Sequence, residues 1–227
     1  MCTLTWRRDP DSGLEVFFNR DELKSRPIAD PPARFDLEDS SFLSPRDPKG
    51  AGTWMLANEN GVVICLLNRW ELEGRSVEEP RSRGRLVWSL AGVRSVDEVT
   101  ERMVDLESYQ AFTLVVFSPF GDRCFEWDGR ELGEGAVPAF LTSSSYRFEE
   151  VKMEREGYFL SGGRGEGLHA STGRESSAFT ILMNRPDAQT WSRSRVKVKG
   201  EVCWNYLAEQ PDLKGEPEET VISMALR

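Results

Sequence analysis

An α+β chain built mainly on antiparallel strands is predicted by three observations. Alternating apolar runs meet across turn-forming residues at 2–18 and again at 54–67, Ser95-Val96-Asp97-Glu98 opens a helical stretch with a capping pattern, and the C-terminal part returns to alternation. In the first hairpin, Cys2-Thr3-Leu4-Thr5-Trp6 and Leu14-Glu15-Val16-Phe17-Phe18 flank Arg7 to Gly13, which is rich in Asp, Pro, Ser and Gly. The second hairpin turns at Asn58-Glu59-Asn60-Gly61, where Asn-Gly is the strongest short hairpin signal. Between them, Ser25 to Lys49 carries Pro, Asp and Ser with few apolar positions and reads as a long irregular loop.

Two helices follow on pattern, one from Arg83 to Leu90 ending at Ala91-Gly92, the other from Ser95 to about Ser108. Phe112 to Ser118 and Cys124 to Trp127 read as strands. A helix from about Phe148 to Phe159 carries so many charges that these read as a solvated face. Gly162-Gly163-Arg164-Gly165-Glu166-Gly167 reads as a flexible loop, because no buried strand leads into it as a phosphate cradle requires. Ala178–Met183, Thr190–Lys199, Glu201–Leu207 and Thr220–Leu226 read as antiparallel strands. The stripe Arg193, Arg195, Lys197, Lys199 marks an exposed face that protects an edge.

Composition narrows the function classes. The 227 residues hold 38 acidic and 29 basic side chains, a net charge of −9, which argues against nucleic-acid or anionic-membrane partners. Apolar runs are of strand length, well short of the roughly 20 residues that a span needs. With no linker composition and no signal-peptide pattern, one domain over 1–227 and a cytoplasmic location are expected. The four cysteines (2, 65, 124, 203) have no Cys-x-x-Cys spacing and His169 is the sole histidine, so no metal site is expected.

Chemistry concentrates at the first hairpin. Removing Met1 would leave Cys2 carrying both a thiol and a free α-amine, a nucleophile with its own base. A turn centred near Asp11 pairs residues whose numbers sum to about 22. That sets Cys2 opposite Arg20 with Asp21 beside it. Arg20 would then favour the thiolate, and Asp21 would orient the amine.

These residues, with Asn19-Arg20-Asp21-Glu22 closing the second strand, resemble the NRDE or transport-and-Golgi-organisation family in its bacterial form. Further matches are Met1-Cys2-Thr3-Leu4, Ala51-Gly52-Thr53-Trp54 (typically Gly-Gly-Thr-Trp), Leu66-Leu67-Asn68-Arg69 and Ser82-Arg83-Gly84. Leu141 to Tyr146 and Met183 to Thr190 complete the set. Relatives often have His where Asn184 stands, and eukaryotic-like members have Ser-Asn within the segment occupied here by Ser143-Ser144-Ser145.

The resemblance implies an N-terminal-nucleophile hydrolase-like fold of four layers, two packed antiparallel sheets between helices. It also implies cysteine-type cleavage of an amide, or acyl transfer. Cys2 would be the nucleophile and Asn68, at the exit of a buried strand, an oxyanion donor alongside Arg20 and Asp21. Asn19, Trp54, Ser143, Ser144 and His169 are the expected substrate contacts. A small-molecule amide or hydrophobic ligand is the expected partner, and no cofactor is expected. The alternative is a non-catalytic haem or lipid carrier in which His169 would serve as axial ligand.

Overall fold

A computed structural model describes residues 2–72, 79–173 and 177–227. In chain order the strands are β1 (Cys2–Asp9), β2 (Gly13–Leu23), β3 (Asp30–Asp36), β4 (Ser41–Arg46), β5 (Met55–Asn58) and β6 (Val63–Asn68). The helices α1 (Arg83–Ser89) and α2 (Val96–Arg102) follow, then β7 (Phe112–Ser118), β8 (Gly121–Trp127), β9 (Leu132–Gly135) and β10 (Phe140–Ser143). The chain continues with α3 (Phe148–Leu160), α4 (Gly165–His169), β11 (Ala188–Val198), β12 (Glu201–Ala208) and β13 (Glu218–Ala225).

The described residues form two antiparallel sheets. One runs β10-β1-β2-β11-β12-β13 and carries both chain ends, and the other runs β3 to β9 in sequence order. Their facing surfaces share a core in which Leu4, Val16, Phe18, Val196 and Trp204 meet Leu43, Met55, Val63, Cys65 and Val115. The far face of the second sheet packs on α1 and α2, and that of the first on α3 and α4. The expected four layers are therefore present.

Pairing in the first hairpin follows from its turn. Asp9 accepts from the backbone N–H groups of Asp11 and Ser12, and Gly13 sits at φ +81° beside the Val198 carbonyl, where a Cβ would lie 2.3 Å away. That geometry fixes Asp9 opposite Gly13 and Cys2 opposite Arg20.

Several expected elements differ. Ser25–Lys49 is no irregular loop, since β3 and β4 lie within it. β3 takes Pro31 and Pro32 because it is an edge strand with a register shift there, while Ser41 to Pro45 are buried. The second helix stops at Arg102, seven residues after Ser95 caps Glu98, because Asp105 turns left-handed at φ +53°. The glycine-rich loop closes into α4. Residues 178–183 form turns instead of a strand, with Thr180 bonding back to Ser177 and Leu182. The basic stripe belongs to β11, an interior strand, where Arg195 pairs with buried Glu15 across to β2 and Arg193 pairs with Glu209.

Candidate functional site

Side chains alternate across a strand, so the motif at Asn19–Glu22 divides between two faces. Arg20 and Glu22 face the inter-sheet side, in line with Phe18 of the core. Asn19 and Asp21 face the helices. The Arg20 guanidinium stacks 4.3 Å over the Trp54 ring and pairs with Glu22 at 3.5 Å. Glu22 is shared with Arg26, which also pairs with Asp47. Cys2, itself nearly buried, lies beside Arg20 at the floor of a cavity of about 450 Å³. Trp54, Asn68 and Trp70 wall it, with residues 81–84 on the opposite side.

Two motif glycines hold this wall together. A Cβ on Gly52 would fall 2.3 Å from the carbonyl carbon of Gly84, whose oxygen accepts from the Thr53 N–H at 3.0 Å. Backbone meets backbone there, so Gly-Thr-Trp and Ser-Arg-Gly are two halves of one joint. Ala51 next to it has φ +50°, a conformation in which the more usual glycine is unstrained.

On the helix side, the Asp21 carboxylate is fully buried. It accepts from Arg155 Nη1 at 3.1 Å and from Thr190 Oγ1 at 2.7 Å. Arg155 reaches from α3 to bind Thr3 Oγ1, Thr142 Oγ1 and the Ala178 carbonyl as well. This corrects the reading of the α3 charges as a wholly solvated face, because Arg155 has no exposed surface. The signal was available: Arg155 falls four residues after Val151 and four before Phe159, inside the helix's apolar stripe.

Of the residues expected to act together, Cys2, Arg20, Asp21, Trp54 and Asn68 border the cavity, and Asn19, Ser143, Ser144 and His169 do not. Asn19 donates to the carbonyls of His169 and Ile181, at 2.9 and 3.0 Å, so its Oδ1 faces His169 Nδ1 at 2.7 Å. His169 Nδ1 therefore carries the proton, and Nε2 accepts from Thr5 Oγ1 at 2.9 Å. Burial pushes this imidazole down to about 3. Both ring nitrogens of His169, the expected axial ligand, are thus hydrogen-bonded within the fold. Asn19 and His169 tie α4 to the sheet, on the face away from the cavity.

Ser144 makes a local turn with Tyr146. Ser143 pairs with Cys2 from β10, on the side away from Arg20, and its buried hydroxyl has no partner among the described residues.

The Cys2 thiol lies under opposing influences. Burial pushes it up to about 11, outweighing the Arg20 guanidinium and the Asp21 backbone N–H, which both favour the anion.

Two antiparallel sheets sandwiched by helices, with a cysteine on the first strand facing a cavity, define an N-terminal-nucleophile hydrolase-like fold. The chain belongs to the Transport and Golgi organisation 2 family, whose model matches residues 1–150. Among solved structures, it is similar to a cysteine-to-alanine mutant of conjugated bile acid hydrolase from Clostridium perfringens. That match has a TM-score of 0.58 at 15% identity, covering 99% of this chain and 92% of the other. A variant of the same hydrolase with arginine changed to leucine gives 0.51 at 12%, with the same coverage. An ortholog of N-acylethanolamine-hydrolyzing acid amidase from Caenorhabditis elegans gives 0.52 at 8%, covering 86% of this chain and 92% of that one. At these identities the likeness speaks for the fold alone. No curated protein matches by sequence. Among the described residues, no helix is long and apolar enough to cross a membrane.

Proposed function

We propose that this protein, once Met1 is removed, cleaves an amide bond of a small molecule with Cys2 as nucleophile. The observation carrying this reading is Cys2 at the floor of a cavity, beside Arg20, in a fold shared with amide hydrolases. A thiol whose pKa burial raises needs a base at the moment of attack, and the freed α-amine, with an ordinary pKa of about 7.7–8.0, suits that task. The amine takes the thiol proton as sulfur bonds to the carbonyl carbon. It then returns the proton to the leaving nitrogen as the C–N bond breaks, and water hydrolyses the thioester. Arg20 lies where anionic charge develops, and the Asn68 amide at the end of β6 is a candidate donor to the oxyanion. Buried Asp21, fixed by Arg155 and Thr190, is the candidate anchor for the amine.

The test starts with the intact mass of untagged protein, followed by a screen of N-acyl amides. Loss of one methionine together with a Cys2-linked acyl adduct supports the reading. Full retention of Met1 in the native host, or turnover undiminished in Cys2→Ala, would refute it. Removing one oxyanion donor typically lowers kcat by about 10²–10³, and Asn68→Ala is expected to fall in that range.

A further inference from the structure

Cations outnumber carboxylates around the cavity above Cys2. Among the described residues, five cationic side chains border it against three carboxylates. All three carboxylates are engaged, Asp21 by Arg155, Glu22 by Arg20 and Arg26, and Asp47 by Arg26. Arg83 donates to the Ala111 carbonyl at 2.8 Å and lies 5.4 Å from the Trp70 ring. Among the described residues, Lys49 and Arg81 have no carboxylate partner. They stand exposed at the rim, Lys49 in the turn after β4 and Arg81 two residues before α1. Deeper in the wall, the indole N–H groups of Trp54 and Trp70 are buried without an acceptor among the described residues. A buried donor left unmatched typically costs about 1–3 kcal/mol, so such a wall favours a ligand that brings acceptors. The surplus of positive charge is local, since the whole chain carries −9.

We infer that the substrate bears an anionic group a few bonds from the scissile carbonyl, held at the rim by Lys49 and Arg81. This rests on the nucleophile reading for the position of the scissile bond. The charges around the cavity stand independently of it. Arg81 lies 5.6 Å from the Tyr109 ring. Both rim cations are exposed, so they contribute through summed Coulomb attraction that salt screens, and they discriminate between ligands more than they tighten binding overall.

The decisive experiment separates binding from turnover. Full-length Cys2→Ala protein is titrated calorimetrically with N-octanoylglycine and with its neutral counterpart N-octanoylglycinamide. The carboxylate is expected to bind about 2- to 30-fold more tightly, the range for two exposed ion pairs. The preference should collapse to less than about twofold in Lys49→Gln/Arg81→Gln and at about 0.5 M salt. Equal affinity, absence of binding by either compound, or a preference that survives the double substitution overturns the inference. Turnover by the unaltered chain is scored separately. A preference for the anion without Cys2-dependent hydrolysis would refute the nucleophile and leave the anion site standing. Equal kcat/KM for the two amides would do the reverse.

Discussion

The two helix-covered faces of the sandwich are built from opposite materials. Beneath α1 and α2 the second sheet presents Leu56, Ile64, Leu66, Phe112, Leu114, Val116 and Phe125, an almost wholly apolar layer. Beneath α3 and α4 the first sheet presents Thr3, Thr5, Asn19, Asp21 and Glu15, bonded to Arg155, His169 and Arg195. Phe17, stacked on His169, and a small apolar cluster of Phe140, Leu168 and Ile181 interrupt them. An apolar layer resists loss of volume but tolerates small slides, since dispersion and burial are not directional. Directional bonds in a dry setting fix strand register and side-chain orientation, and a partial loss leaves unpaired polar groups behind. The sheet that carries Cys2, Arg20 and Asp21 has the directional layer.

Substitutions that divide stability from orientation put this contrast to the test. Arg155→Met leaves the Asp21 carboxylate buried beside Thr190 without its cation and should cost about 3–5 kcal/mol. The folded fraction should also lose activity, with an altered pH–rate profile. Phe112→Ala on the other face should cost a similar amount, about 3–5 kcal/mol, yet leave the activity of the folded fraction intact. Urea midpoints alongside kcat per active site separate the two. Equal kinetic damage from both would erase the distinction.

The buried histidine gives the polar layer a pH dependence that the apolar one lacks. His169 sits near 3 when folded against about 6.5 when unfolded, so the unfolded chain binds the extra proton first. Its contribution is complete above about pH 6.5 and falls as pH drops toward 3, at about 1.4 kcal/mol per pH unit. His169→Gln should flatten that segment of the stability curve, which denaturation at pH 7 and pH 4 would measure. At the joint between the β4–β5 loop and α1, Ala51→Gly relieves a left-handed alanine and should gain up to about 1 kcal/mol. A loss of stability there would mean that the segment relaxes without help.

The sequence disclosed the contents of this site unevenly. Cys2 opposite Arg20 was readable because the turn around Asp11 is short and its chemistry is specific, so counting outward sets the register. The division of Asn19 to Glu22 between two faces follows from the same alternation. Even so, Asn19 reads naturally as a substrate contact until the helices covering its face are known. Arg155 was hidden by its neighbours, since Glu154 and Glu156 made it look like one more surface charge. The strands within 25–49 were hidden by the two prolines, tolerated there only because tertiary context puts β3 at an edge. Thr190 reaches Asp21 through the pairing of β11 with β2, and nothing local announces a partner so far along the chain.

That pairing sets an order of assembly. Hairpins close in about 1–10 μs, so Cys2 and Arg20 can meet while most of the chain is still searching. Asp21 acquires its partners only when β11 docks against β2 and α3 packs beneath them, contacts that span 169 and 134 positions. Closing such long loops is entropically costly and slow. An early hairpin thus holds the thiol and arginine but lacks a fixed carboxylate, and stays idle until nearly the whole polypeptide has come together. Catalytic competence would then serve as a clock for the last step of folding, readable by stopped-flow activity during refolding.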